Sequence, residues 1–267
     1  MADSLRLWIR YMALSVRAQM QYRASFFFAS LGQLLGSATE FAGVWALFSR
    51  FGELRDWTLW EVALFYGVVN VSFSLADALS TGFDRFGDTV KRGGFDRMLV
   101  RPRSTVLQLA GQEFAFRRVG RLLQGAVVLG VASAWLELDW TAARAALLAA
   151  AIAGGACVFF GLFVIHATIA FWTIESLELM NTMTYGGVQT AQYPLSIYAA
   201  PFRRFFTFAV PLACVAYFPV VAILGRDDPL GSPLWLQCVA PLAGVAFLAA
   251  TLGLWRFGER HYTSTGS

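Results

Sequence analysis

The residues that could do chemistry in this sequence are few. Two histidines are present, His166 and His261, and neither stands in an H-E-x-x-H pattern. No G-x-S-x-G elbow occurs, which excludes the common hydrolase layout. A phosphate-cradling P-loop needs glycines ahead of a lysine. The one lysine, Lys91, sits instead in "DTVKRGG", so the chain is expected to bind no nucleotide of its own. Cys157, Cys214 and Cys238 stand singly in apolar stretches without zinc-ligand or redox spacing, and read as small buried hydrophobes. No catalytic group, metal site or resident cofactor is expected. What remains is a polar block, "TVKRGGFDRMLVRPRS" at residues 89–104, and two acids, Glu40 and Asp77, inside apolar stretches.

An acid at the middle of a membrane span costs about 2.5–3.5 kcal/mol on insertion scales, so Glu40 and Asp77 should face a bundle interior or a polar cavity. For Glu40 two readings stand side by side: a substrate-facing acid favouring cationic or polar cargo, and a structural ion pair or hydrogen-bonded acid. For Asp77 the structural reading is preferred. His166, within an apolar stretch, reads as an interhelical hydrogen-bond partner rather than a catalyst.

The elements that hold these groups follow from composition. Of 267 residues, 57% are hydrophobic and 14% charged, against about 25% charged in soluble domains. Several stretches reach the roughly 20 apolar residues that span a bilayer. This predicts an all-α membrane protein. Residues 1–24 read as an amphipathic interfacial helix, with Arg6, Arg10 and Arg17 within about 40° of one another on a helical wheel. Arginines run throughout this stretch, so it does not read as a cleavable signal peptide. Residues 25–267 then form a six-span domain, with spans at 26–48, 59–83, about 119–136, 145–172, about 179–199 and 234–257.

Residues 201–225 could be counted as a seventh span. Pro211 and Pro219 argue against it, because each removes a backbone donor from a helix interior. Two half-helices dipping in and out before the last span are predicted instead. Charge agrees. With six spans and the N-terminus inside, fifteen Lys and Arg fall on the cytoplasmic side and six outside. Both termini are therefore expected in the cytoplasm.

Within the block, Gly93 and Gly94 permit a sharp turn, Phe95, Met98 and Leu99 offer an apolar face, and Pro102 ends the helix. A short helix with apolar knobs and flanking charges suits insertion into a partner's groove.

"GGFDRMLVRPRSTVLQ" resembles the cytoplasmic loop of permease subunits from bacterial ATP-binding-cassette exporters of the type-2 class. "YPLSIYAAPFRRFFTFAVPLACVAYFPVVAILG" is similar to the re-entrant segment before the last span in that family. The resemblance covers nearly the whole chain. It implies a substrate pathway formed with a second permease, identical or paralogous, in the bacterial cytoplasmic (inner) membrane. Two copies of a separate ATPase subunit, carrying ATP and Mg, would dock below. Gly94, Phe95, Asp96, Arg97, Leu99, Arg101 and Pro102 fall on the ATPase-coupling segment, residues 84–104, and Met98 joins them on the apolar face. Cargo in the family comprises antibiotics, other hydrophobic drugs and lipid-linked glycans, which points to multidrug or antibiotic efflux. Docked motion is expected to tilt the first, second and fifth spans. Lipid surrounds the chain and no nucleic acid is expected. The alternative is an ion-gradient-driven secondary transporter using Glu40 or Asp77.

Overall fold

The structure, a computed structural model, describes residues 17, 21, 23–112, 119–173 and 177–263. The expected interfacial helix over 1–24 lies almost wholly outside the described residues, as does the segment 113–118. The described chain is helical, with no strand and one isolated bridge between Leu54 and Trp57. Its helices are α1 (Arg23–Phe51), α2 (Leu59–Asp84), the short α3 (Phe86–Lys91) and α4 (Gly94–Leu99), then α5 (Thr105–Gln112), α6 (Val119–Trp135) and α7 (Ala142–Ile169). They continue with α8 (Leu177–Ala191), α9 (Ala200–Arg204), α10 (Phe218–Leu224), α11 (Leu234–Val239) and α12 (Leu242–Arg260).

Local chemistry fixes several boundaries. "TLWE" is a capping box: the Thr58 hydroxyl accepts from the Glu61 amide, and the Glu61 carboxylate accepts from the Thr58 amide at 2.8 Å. This starts α2 sharply. Thr141 caps α7 by accepting from the Arg144 amide. Helix α8 stops at Ala191, short of the expected residue 199, because Pro194 bars the residue before it from helical backbone. The last expected span is likewise divided, with α11 ending at Val239 and α12 starting at Leu242, on either side of Pro241, which has no N–H to give.

Across the bundle the order is α1, α6, α2, α7, α12, with α2 in the middle packing along both α6 and α7. Helix α2 is buried over most of its length, from Glu61 to Phe83. Close crossings are made by glycine. A Cβ on Gly244 would strike the Gly154 carbonyl oxygen, so α7 and α12 touch backbone to backbone. Small residues at such contacts are how membrane helices gain packing energy when lipid is as apolar as leucine.

Two helices, Leu59–Lys91 (α2 continued through α3) and Ala142–Ile169, are long and apolar enough to cross a membrane. A third candidate is a broken pair, Ala200–Ala209 and Ala213–Leu224, bent by 83°. Six spans are not reached on this measure: α1, 29 residues long, and α12, 19 residues long, are not apolar enough, and α6 and α8, at 17 and 15 residues, are too short. The bend sits where expected, at Val210–Leu212, with Val210 extended ahead of Pro211. Pro219 behaves differently from expectation. It lies within the helix Ala213–Leu224 without ending it, and the turn ahead of it, Ala213–Tyr217, is widened into a π-helix.

Candidate functional site

The 84–104 segment folds as two short helices around one turn. Gly93 takes φ +62°, a left-handed conformation that a side chain resists, and a Cβ on Gly94 would stand only 3.0 Å from the Thr89 methyl. The glycine pair therefore makes the turn the sequence predicts. Behind it, Gln108 on α5 donates to the Met98 carbonyl at 3.2 Å and to the Arg103 carbonyl at 3.1 Å, closing the bend over Arg101 and Pro102.

The apolar face does not point where the sequence reading put it. Phe95 is fully buried and Met98 nearly so. Phe95 stands in an aromatic cage of Phe86 at 5.1 Å, Tyr262 at 5.0 Å, Phe171 at 5.3 Å and Trp255 at 6.3 Å, mostly edge to face. Met98 Sδ receives the Gln112 amide at 3.6 Å. These two residues are anchors into their own bundle, and the expectation that both protrude is corrected. The exposed apolar residues are Leu99, 43% exposed, and Val100, 82% exposed. Arg97, Arg101 and Pro102 are exposed beside them, while Asp96 and Gly94 are half-buried.

The cage also names the elements this segment grips. Trp255 lies on α12, Phe171 just past the end of α7 and Tyr262 just past α12. The Trp255 indole donates to the Thr105 hydroxyl at 3.0 Å, which donates to the Glu259 carboxylate at 2.9 Å. The loop is thus bolted to α7 and α12, besides continuing from α2. The expected lever on the first and fifth spans has no such contact among the described residues of this cage. Sequence reading missed Phe86, Phe171, Trp255, Gln108 and Glu259. The only signal was a cluster of aromatics near the ends of apolar runs, which hydropathy alone treats as more span.

Glu40 lies on α1 and meets Arg121 on α6 at 3.3 Å. The Arg121 side chain is 11% exposed and that of Glu40 40%. Arg121 Nε donates to Asn70 Oδ1 at 2.9 Å, and its guanidinium lies 4.9 Å from the centre of the Phe73 ring. Nearby, Gln124 donates to the Tyr66 hydroxyl, which donates to the Ser37 carbonyl. Glu40 thus pairs α1 with α6, and Arg121 carries the connection on to α2 through Asn70. Asp77 is buried on α2, one turn beyond Phe73 and two turns beyond Asn70, and Ser80 donates to its backbone carbonyl.

The burial asymmetry gives a prediction. Arg121→Met should destabilise the chain more than Glu40→Gln, because it strands the Asn70 oxygen inside the bundle. An unsatisfied buried acceptor costs about 1–3 kcal/mol, whereas a glutamine at 40 still accepts from Arg121. Thermal unfolding of the two purified variants in detergent should show the difference, and equal losses would refute the arrangement.

Comparison with known proteins decides what kind of chain carries this loop. A family model described as "ABC-2 family transporter protein" matches residues 34–266. The chain belongs to the ABC-2 transporter family. No curated protein and no solved structure matches it. The match takes in α2, the two short helices at 86–99, the bent pair and α12 together. With its membrane-length apolar helices, this ABC-2 chain is a multi-pass membrane transport component.

Proposed function

We propose that this ABC-2 chain is the transmembrane permease subunit of an exporter driven by separate ATPase subunits. It would pair with a second permease and bind two ATPase copies, which carry ATP and Mg. In this reading it sits in a bacterial cytoplasmic membrane with both termini and the 84–104 segment inside, and with the bent pair at 201–225 re-entering the bilayer. The observation that carries the reading is the exposed ridge of Leu99, Val100, Arg101 and Pro102, presented by a turn whose base is locked into the bundle. A rigid base with a protruding apolar tip is what a lever needs, because flexible contacts would absorb the partner's motion. Arg97 and Arg101 flank the tip and suit an acidic rim on the ATPase groove.

Two further observations support the assembly. Helix α1 leaves Gly32, Gly36 and Gly43 with open space where a side chain would be, and exposes Leu35 and Trp45. That open, small-residue face on the outermost helix suits close packing against the second permease. The ion-gradient alternative is not favoured, because the chain belongs to the ABC-2 transporter family and Glu40 is paired with Arg121.

Val100→Asp should cut capture of the ATPase by about tenfold, since charging a desolvated interface position costs over 1.4 kcal/mol. Leu99→Ala should reduce it less. Neither should alter the unfolding temperature of the permease alone, because both side chains are already exposed. The measurement is co-elution of the ATPase together with substrate-stimulated hydrolysis in nanodiscs. Capture by a cytoplasmic ATPase would at the same time place the loop inside. Wild-type co-elution and hydrolysis in both Val100→Asp and Leu99→Asp would show that this ridge is not the docking element.

A further inference from the structure

The end of α2 remote from the loop carries a second constellation that the coupling reading leaves unused. Glu61 stands in the first turn of α2 and Asp84 at its last residue, so this end lies about 35 Å along the helix from the 86–99 turn. Here Arg226 joins three segments. Its Nη1 donates to Glu61 Oε1 at 2.8 Å and to the Asp56 carbonyl at 2.8 Å, and its guanidinium lies 4.5 Å from the centre of the Trp57 ring. Gly225, at φ +69°, ends α10 and turns the chain so that Arg226 can reach back. Trp57 is buried, and its indole donates to the Ser196 hydroxyl at 3.1 Å, in the segment after α8. Its ring also packs 6.5 Å from that of Tyr217 in the bent pair.

The turn being held is strained. Arg55 and Asp56 are consecutive non-glycine residues at φ 48° and 67°. Such backbone persists only where its surroundings over-determine it. The contacts that do so are the bridge between Leu54 and Trp57, at 3.0 and 3.1 Å, and the Arg226 bond to the Asp56 carbonyl. On the other side, Asp228 is fixed. It accepts from the Tyr217 hydroxyl at 2.6 Å and from the Leu230 and Ser232 amides at 2.9 and 3.0 Å. Burial works to raise the Asp228 carboxyl, but these hydrogen bonds outweigh it and hold it below the ordinary carboxylate range. Arg226 is therefore mounted on a firm loop and holds a turn that would relax if released. Both its side chain, 31% exposed, and that of Glu61, 11% exposed, keep some contact with solvent. The pair can exchange its bond for water.

We propose that Arg226, Glu61 and Trp57 form a latch that holds the transport pathway shut at the face opposite the 84–104 loop, and that it releases when the pathway opens. The latch closes the exit of the bent pair onto the α1–α2 turn and, through Ser196, onto the end of α8. Helix α2 connects it to the coupling loop as a single rod, buried along its length. The proposal rests on the transport reading above for its function, though not on the ATPase docking site.

The test uses the full chain in liposomes, alone and with its ATPase. Arg226→Ala, Arg226→Lys and Glu61→Gln are compared with wild type by two readouts. The first is hydrogen exchange of the 54–58 amides, with α2 interior amides as the internal control for folding. The second is ATP-independent permeation of a small fluorescent dye. Arg226→Ala should speed exchange at 54–58 and raise dye permeation by about tenfold, the population shift expected when one charge-assisted bond is lost from a two-state equilibrium. Arg226→Lys keeps the charge but loses the flat guanidinium on Trp57, and should fall between. Faster exchange with unchanged permeation would make the cluster a static clip and overturn the latch. Unchanged exchange would overturn it too. Should the ATPase fail to bind while the permeation effect holds, the docking reading fails and the latch stands.

Discussion

Phe95→Ala is expected to unseat the loop helix from the bundle and lower the stability of the permease by itself, without any partner present. Removing a fully buried phenylalanine costs about 3–5 kcal/mol through lost transfer energy and the cavity left behind. Here the cavity would open among Phe86, Phe171, Trp255 and Tyr262, which pack edge to face around the ring. Those residues belong to α3, the end of α7, α12 and the segment after it, so the gap disconnects the turn from three parts of the chain. Thermal unfolding of the isolated chain in detergent should drop clearly, and amides of residues 86–99 should exchange faster. Phe95→Leu, which refills part of the volume, should recover much of the loss. Any fall in ATPase coupling would then be a consequence of a loosened base. If Phe95→Ala unfolds like wild type yet loses the ATPase, the ring faces the partner and its buried placement is wrong.

The second large effect is expected at the crossing of α7 and α12. Gly244→Ala puts a Cβ onto the Gly154 carbonyl oxygen, and main chain on both sides cannot step aside as a side-chain tip could. Overpacking of this kind costs about 1–3 kcal/mol, and Gly244→Leu should prevent a stable bundle. Gly253 lies on the same helix, and a Cβ there would have nothing within 4 Å. Gly253→Ala should therefore be neutral or slightly stabilising, since alanine has the better helix propensity. Because α12 also carries Trp255, the Gly244 variants should loosen the loop cage as well. The comparison is the yield of monodisperse protein and its unfolding temperature. Equal behaviour of Gly244→Ala and Gly253→Ala would show that the two helices do not meet at this point.

What could be read from the sequence was whatever depends on neighbours in the chain. Low charge and long apolar runs set the membrane class, since the cost of placing a residue in lipid is summed along a stretch. Gly93 makes a turn and Pro211 marks a bend for equally local reasons: a missing Cβ and a missing N–H. The polar block at 84–104 stood out as a motif, and the family was legible too. Which way Phe95 faces was not legible. An apolar residue beside arginines fits an exposed knob and a buried anchor equally well, and only the arrival of Trp255, 160 positions later, separates them. Glu40 posed the same problem. Its charge demanded an answer that the sequence could not supply, because Arg121 lies 81 residues away and reaches it only when α1 and α6 pack side by side. Arg226 was counted simply as a cation outside the membrane. The tertiary structure decides that it holds Asp56, Trp57 and Glu61, because those groups converge on it only once the bent pair has folded back against the start of α2.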